Sequence, residues 1–168
     1  MKIRMISLLL LIAICLTVTG CQKQAESIKT PVVFYYVRAE FDHGNDNSVI
    51  CGETRESADF KGNLIELLNG YLQGPQSEDL LTPFPSGTSI TNYLVDNTTA
   101  ILTVTDHLAQ ISGMDLTVAC ACLSKTVIEL TGIESVKIQA KTKELGSNEF
   151  IYMDMNTILL LDSTEIDS

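Results

Sequence analysis

The chain has 168 residues, of which 11 are basic and 21 acidic, and its formal net charge at pH 7 is −10. This balance argues against nucleic-acid binding, because phosphate backbones demand clusters of Lys and Arg, and against adsorption on anionic lipid. The length suits one domain with a core large enough to fold unaided.

Residues 1–20 are predicted to be an export signal that is removed. Lys2 and Arg4 precede the apolar run Ile6–Val18, which is shorter than the roughly 20 residues of a transmembrane helix. The run ends in Leu16–Cys21 (LTVTGC), which resembles a bacterial lipobox. The resemblance implies a diacylglycerol thioether on Cys21, with membrane lipid as the anchor on the extracytoplasmic face of the cell membrane. The alternative is an ordinary secretory site with an incidental cysteine.

The segment 21–30 is predicted to be the lipidated cysteine and a flexible tether, followed by one domain over 31–168. Val32–Phe41 is rich in β-branched and aromatic residues that alternate along the chain, which predicts a strand. Asp42–Ser48 is a turn-forming cluster, and Val49–Cys51 is predicted to return as a short paired strand.

Apolar residues recur at helical spacing over Leu64–Leu72, which predicts a helix of about three turns. Gly74 and Pro75 are expected to end it, because Gly accepts a left-handed conformation and Pro cannot continue a helix. Two strands are then predicted at Ser89–Val95 and Thr99–Val104, joined by a tight turn at Asp96–Asn97.

A second helical stripe runs from Leu116 to Leu130 and closes at Gly132, and a fourth strand is expected around Val136 and Ile138. The resulting β-α-β-β-α-β order predicts an α+β fold with two helices on one face of a small sheet. The tail, about 150–161, is predicted to add a hairpin of strands Phe150–Met153 and Thr157–Leu161.

Three segments resemble the GerMN domain of sporulation and spore-germination lipoproteins: Leu72–Pro75 (LQGP), Leu81–Thr88 (LTPFPSGT) and Gly132–Ile138 (GIESVKI). The resemblance covers a core of about 32–140. Its motif positions, which we interpret as structural, are Gly74, Pro75, Pro85, Gly87, Thr88 and Gly132. Lys141–Gly146 replaces the Asp-Gly pair common after the last core strand, and the chain has length for one domain where some members carry two.

The resemblance implies an extracytoplasmic binding or scaffold role in envelope complexes of spore formers, with no established catalysis. No cofactor or metal is expected. His43 and His107 begin no metal motif, and nucleophile-elbow and phosphate-loop motifs are absent. Asp42, Asp46, Ser48 and Glu53 fit a calcium-loop register in part, but Gly44 and Asn47 stand at its third and sixth positions, so we favour a solvated loop.

Cys120 and Cys122 lie two residues apart on the predicted helix, so they point away from each other and cannot share an ion or a disulfide. Cys120 belongs to the apolar stripe, and Cys122 flanks it. A disulfide from Cys51 to either one stays open, since an exported domain meets an oxidising space.

The leading hypothesis is therefore a non-enzymatic interaction module that binds envelope proteins or cell wall through its sheet edges and its Pro-rich segment. This segment is the loop that contains Pro75, Pro83 and Pro85 and leads to Gly87. The alternatives are a peptidoglycan-processing enzyme, which needs converging carboxylates or a zinc triad, and a glycan-binding module, which needs an aromatic pocket. The sequence leaves the oligomeric state open.

Overall fold

The structure is a computed structural model that describes residues 30–39, 48–57 and 63–162. Within them the elements are, in chain order, β1 (Thr30–Arg38), β2 (Ile50–Ser57), α1 (Leu64–Tyr71), β3 (Leu80–Leu81), β4 (Ile90–Asp96), β5 (Thr99–Val104), a 3-10 turn (Leu108–Gln110), α2 (Gly113–Thr131), β6 (Ser135–Ala140), β7 (Ile151–Asp154) and α3 (Met155–Asp162). The predicted α+β class is confirmed. The predicted export signal, Cys21 and the loop 40–47 lie outside the described residues.

The first sheet has the order β2-β1-β3, with both pairings antiparallel. β1 buries Val32, Phe34 and Tyr36, whereas the alternate residues are half-buried. β2 continues well beyond the predicted Val49–Cys51, because it pairs with β1 along the whole length of that strand.

The second sheet has the order β4-β5-β6-β7. β4 and β5 form an antiparallel hairpin whose turn contains Asn97 with a φ of 53°, a left-handed conformation that Asn tolerates better than most residues. β5 and β6 are parallel, so α2 crosses from the end of one to the start of the other. β7 then pairs antiparallel with β6.

Helix α2 is shared by the two sheets: it contacts β1 of the first and both β6 and β7 of the second. Its central residues are buried on every side, so the helix is not the amphipathic element that a single stripe would indicate. Small side chains in these turns, among them Ala119, Cys120, Ala121 and Cys122, let the helix fit there. No helix in the described part of the chain is long and apolar enough to span a membrane.

The prediction of a single sheet is wrong, because the free edge of β1 is closed by side chains instead of by another long strand. The Tyr35 N–H donates to Oγ1 of Thr126 on α2 at 3.0 Å. The Tyr71 hydroxyl of α1 donates to the Tyr35 carbonyl oxygen at 2.6 Å. Both outward backbone groups of Tyr35 are thus bound by helix side chains, so no strand pairs with β1 at this residue, and β4–β7 form a separate sheet.

The predicted C-terminal hairpin is also wrong: Phe150–Met153 corresponds to β7, but the segment predicted as a second strand, Thr157–Leu161, lies in α3. Oδ1 of Asp154 accepts hydrogen bonds from both the N–H and the hydroxyl of Thr157, each at 2.8 Å. Asp154 therefore acts at a helix start, a role that short polar residues share with turns.

The segment Lys141–Gly146, which differs from the family pattern, forms a loop that is held by hydrogen bonds to Asp106 and by the buried side chain of Leu145. Oδ1 of Asp106, just after β5, accepts hydrogen bonds from the N–H groups of Thr142 at 2.8 Å and Lys143 at 3.2 Å. Leu145 is fully buried, so this loop contributes to the core.

Candidate interaction surfaces

The Gly-Pro motif forms a corner fixed by polar side chains of the first sheet. Gly74 has a φ of +114°, a conformation that L side chains rarely adopt. Its carbonyl oxygen accepts a hydrogen bond from Nη2 of Arg55 at 2.8 Å and lies 3.0 Å from the Tyr36 hydroxyl. Pro75 follows at the point where the chain leaves α1, so this corner directs the chain towards the Pro-rich segment.

Arg55 forms an ion pair with Glu53, and their side chains are only 14% and 10% exposed. The guanidinium also stacks over Phe34, 5.1 Å from the ring centroid. Oε1 of Glu53 accepts hydrogen bonds from the N–H groups of Gln76 at 2.8 Å and Ser77 at 2.7 Å. Burial would raise the pKa of Glu53, but the Ser77 N–H, Arg55 and the Gln76 N–H outweigh it and lower that pKa below its usual value.

These contacts leave Glu53 committed to the corner through both carboxylate oxygens. In the calcium-loop register Glu53 would be the bidentate ligand, and it already serves the backbone after Pro75. The register's Asp42 and Asp46 lie outside the described residues.

The Pro85-x-Gly87-Thr88 segment is a tight turn that is closed from within. Thr88 is 3% exposed, and its N–H and hydroxyl both donate to the Pro85 carbonyl oxygen, at 3.1 Å and 2.7 Å. Gly87 has a φ of +84°, and its carbonyl oxygen accepts from the Thr105 hydroxyl at 3.0 Å. The His107 ring packs on Gly87, so a Cβ there would lie only 3.0 Å from Nε2. His107 is thus an exposed residue whose ring contacts Gly87.

An aromatic cluster joins the Pro-rich segment to the core. The fully buried Tyr71 ring lies 5.2 Å from Phe34, 4.9 Å from Tyr36 and 5.4 Å from Phe84, between ring centroids. Burial raises the pKa of Tyr71 well above its usual value, so its hydroxyl stays protonated. The cluster makes the Pro-rich segment a rigid wall.

A groove of about 630 Å³ lies beside that wall. Its floor and sides are mostly apolar, with Gln110 and Asp115 as polar groups at the same site. Leu81, one of the lining residues, is 54% exposed. The remaining lining residues are Val37, Val49, Thr82, Pro83, Phe84, Pro85, Ile111 and Val118. An apolar groove with a few polar groups has the composition of a site that binds a segment of another molecule.

The second sheet presents a row of side chains on the face opposite Leu102 and Ile138: Leu94, Ile101, Lys137 and Tyr152 are neighbours in register across all four strands. Leu94 is 55% exposed and Tyr152 52% exposed. Nζ of Lys137 lies 3.9 Å from the Phe150 ring centroid.

Of the cysteines in the described residues, none forms a disulfide: Cys51, Cys120 and Cys122 are free thiols. Cys120 and Cys122 are both fully buried, and burial raises the pKa of the Cys120 thiol to about 12. Within residues 30–39, 48–57 and 63–162, no three His, Cys, Asp or Glu side chains are grouped so as to hold a metal ion. His43 and Cys21 lie outside these residues.

Gly132 is the remaining motif residue, and it lies apart from the groove. It ends α2 in a left-handed conformation with a φ of 72°, and its N–H donates to the Ile128 carbonyl oxygen at 2.8 Å. The structure thus brings Gly74, Pro75, Pro85, Gly87 and Thr88 to the region around the Pro-rich wall, and Gly132 to the start of β6. Sequence reasoning missed Arg55, and it considered Glu53 only as a possible calcium ligand. The signal for their ion pair was two opposite charges two residues apart, which share one face of a strand.

Comparison with known proteins identifies the class of this domain. The family described as "Germane: Sporulation and spore germination" matches residues 33–146. The chain belongs to the Germane family, and the GerMN resemblance predicted from the sequence is confirmed. No curated protein sequence shows significant similarity to the chain.

Two solved structures share this fold. The tandem GerMN domains of the sporulation protein GerM from Bacillus subtilis align with a TM-score of 0.55 and 19% identity, over 72% of this chain and 42% of that one. The first GerMN domain of the same protein aligns with a TM-score of 0.53 and 15% identity, over 70% of this chain and 91% of that one. The chain therefore spans less than half of the tandem structure, and the likeness at this identity concerns the fold.

Proposed function

We propose that the protein is a membrane-anchored extracytoplasmic lipoprotein whose Germane domain acts without catalysis, as an interaction or scaffold domain in sporulation, spore germination or envelope assembly. The observation that carries the proposal is the apolar groove beside the rigid Pro-rich wall. The family description supports it, because it names a biological process and no reaction.

The groove suits a partner segment with apolar side chains. Pro83, Phe84 and Pro85 line one side, and Phe84 is itself held by the aromatic cluster, so this side needs little ordering when a partner binds. Gln110 and Asp115 offer hydrogen bonds that fix the orientation of the bound segment. Exposed apolar surface at Leu81 would be removed from water by the same contact.

The anchor is supported by the spacing between Cys21 and the domain. β1 begins at Thr30, and the family match begins at residue 33. At about 3.3–3.6 Å per extended residue, the stretch 22–29 reaches at most about 30 Å. A lipidated Cys21 would therefore hold the start of β1 within about 30 Å of the membrane surface. The groove, which Val37 lines at the other end of this strand, would face an envelope protein or cell-wall material.

The groove is tested by site-specific photocrosslinking in cells of a spore-forming host that produce the full chain. A benzophenone amino acid at Leu81 or Gln110 should give a discrete adduct, and the same group at Tyr152 should not. Tyr152 is a matched control because it is 52% exposed, against 54% for Leu81. Leu81→Asp should abolish the adduct from Gln110. Equal adducts from all three sites would contradict the proposed role of the groove.

The anchor is tested separately. Cys21→Ser should abolish labelling by radioactive palmitate and release the protein from the membrane fraction, whereas Cys51→Ser should leave both unchanged. Clearing of a gel that contains cell-wall material by the purified protein would contradict the non-catalytic role.

A further inference from the structure

β4 is the outermost strand of the second sheet, and the direction of its backbone groups follows from its hairpin. A turn of two residues separates Asp96 from its partner Thr99. Such a turn closes on a hydrogen-bonded pair, and hydrogen-bonded pairs alternate along an antiparallel ladder. Leu94 therefore directs its backbone N–H and C=O at β5, whereas Tyr93 and Val95 direct theirs away from the sheet.

The start of β4 shows how an outward-directed residue is satisfied within this fold. The Asn69 side chain on α1 donates to the Ile90 carbonyl oxygen at 3.1 Å and accepts from the Ile90 N–H at 2.7 Å. The amide thus replaces a neighbouring strand at Ile90. By contrast, no group in the described part of the chain forms a hydrogen bond with the outward N–H or C=O of Tyr93 or Val95.

The side chains next to these groups are apolar and exposed. Leu94 is 55% exposed and Val95 53% exposed. Proteins usually protect an edge strand with charges, Pro, a β-bulge or a covering element. The irregularity in the pairing of β4 lies between Ile90 and Asn92, so it precedes the outward-directed residues Tyr93 and Val95. The stretch Thr91–Val95 (TNYLV) contains neither a charged residue nor Pro. This edge is therefore suited to receive another strand by backbone pairing.

We propose that β4 pairs antiparallel with β4 of a second copy of the chain, about a two-fold axis at Leu94. In this register Tyr93 of one copy exchanges backbone hydrogen bonds with Val95 of the other, and the reverse pair does the same. Leu94 lies directly opposite its own equivalent. The two four-stranded sheets become one eight-stranded sheet.

The strand's own sequence supports a second copy as the occupant. Pairing about Leu94 places Asn92 opposite Asp96, an amide against a carboxylate, and sets no two like charges opposite each other. It places aromatic Tyr93 opposite β-branched Val95, a favourable cross-strand combination. The surface is thus complementary to itself, which a two-fold contact requires. The inference depends on neither the groove nor the lipid.

Cysteine crosslinking of the full chain, in whichever cell fraction contains it, tests the register. A directly opposed pair without hydrogen bonds has Cα atoms about 4.5 Å apart, within the range that a disulfide bridges. Leu94→Cys should therefore give a disulfide-linked dimer on mild oxidation. The unsubstituted chain and Tyr152→Cys, at a similarly exposed residue of β7, should not.

Asn92→Cys and Asp96→Cys give a second check on register. Each alone should stay monomeric, because two copies of one such site lie about 13 Å apart along the strands, and the two chains produced together should crosslink. No dimer from Leu94→Cys above the Tyr152→Cys level would overturn the proposal. Dimers from Asn92→Cys alone, or a crosslink from residue 94 only to another protein, would overturn it equally.

Leu94→Lys provides a test that needs no oxidation. It sets two like charges opposite each other across the contact and leaves the ladder to β5 intact, so self-association measured by sedimentation in detergent should weaken by at least about tenfold. Tyr152→Lys is the control and should associate as the unsubstituted chain does, with folding of both variants checked by circular dichroism. Association unchanged in a folded Leu94→Lys chain would overturn the proposal.

Discussion

Arg55 donates a hydrogen bond to the carbonyl oxygen of Gly74 at 2.8 Å, which joins the middle of β2 to the corner that ends α1. The same guanidinium neutralises Glu53, whose carboxylate holds the backbone just beyond Pro75. One cation therefore fixes the approach to the Pro-rich wall from two sides.

Removing that cation should be costly. Arg55→Met leaves the partly buried Glu53 carboxylate with only the Gln76 and Ser77 N–H groups as partners, and we expect a loss of about 1–3 kcal/mol in the free energy of unfolding. Urea unfolding followed by circular dichroism measures it. The double variant Arg55→Met/Glu53→Gln should recover much of the loss, because no buried charge is left unpaired. A loss below about 1 kcal/mol in the single variant would show that the pair does not fix the corner.

Stability should fall at acidic pH in a way that depends on Glu53. Its pKa is lower in the folded protein than in the unfolded chain, so its contribution is complete above the usual pKa of Glu. This stabilising contribution is lost as the pH falls below the usual pKa of Glu and then through the lower pKa of Glu53 in the folded protein. Unfolding free energies measured from pH 6 to about pH 3 should therefore decline more steeply for the unsubstituted chain than for Glu53→Gln. Parallel declines would mean that Glu53 is not the responsible carboxyl.

Gly87→Ala should destabilise the domain by about 1–3 kcal/mol, since an L side chain is strained at this positive φ. The added methyl group also meets the His107 ring, so Gly87→Ala/His107→Ala should recover the part of the loss due to contact and retain the part due to φ. Gly70→Ala is the matched control: nothing lies within 4 Å of a Cβ there, and α1 should gain about 0.5–1 kcal/mol. Thermal unfolding distinguishes these outcomes.

The described thiols should differ in reactivity. Cys120 and Cys122 are fully buried, and the Cys120 pKa of about 12 keeps its thiol protonated, so neither should react with a thiol reagent at pH 8. The half-buried Cys51 should react first. Peptide mass spectrometry before and after addition of urea gives the order, and Cys51→Ser removes the early modification. Early modification of Cys122 would indicate that α2 opens in the native state.

The hairpin β4–β5 could be predicted almost to the residue, because strand alternation and the turn chemistry of Asn97 agree with its environment. β2 was predicted too short because Glu53 and Arg55 look like solvent-facing residues. In the fold they satisfy each other and are largely buried. Single-sequence patterns cannot detect the Gly74 carbonyl oxygen and the Gln76 and Ser77 N–H groups, which bind these two side chains from a distant segment of the chain.

Other differences have equally local causes. β1 is apolar on both faces, so alternation alone does not decide that Phe34 and Tyr36 point to the core. The three residues after Asp154, positions 155–157, are compatible with a turn or a helix. The helix is the conformation found, and it buries Ile158 in the core. The motif residues Gly74 and Gly87 could be found from the family resemblance, whereas the groove beside them required the arrangement of β1, the Pro-rich segment and α2.

The amide of Asn69 sets the length of any strand that joins β4. The Asn69 amide already binds the outward N–H and C=O of Ile90, so a strand of another molecule cannot pair there. Such a strand can pair only with Tyr93 and Val95, which lie nearer the turn. An interface of four main-chain hydrogen bonds is brief in solution. Confinement of lipidated copies to a plane would raise their encounter frequency, so surface density, and not intrinsic affinity, would govern when the copies join.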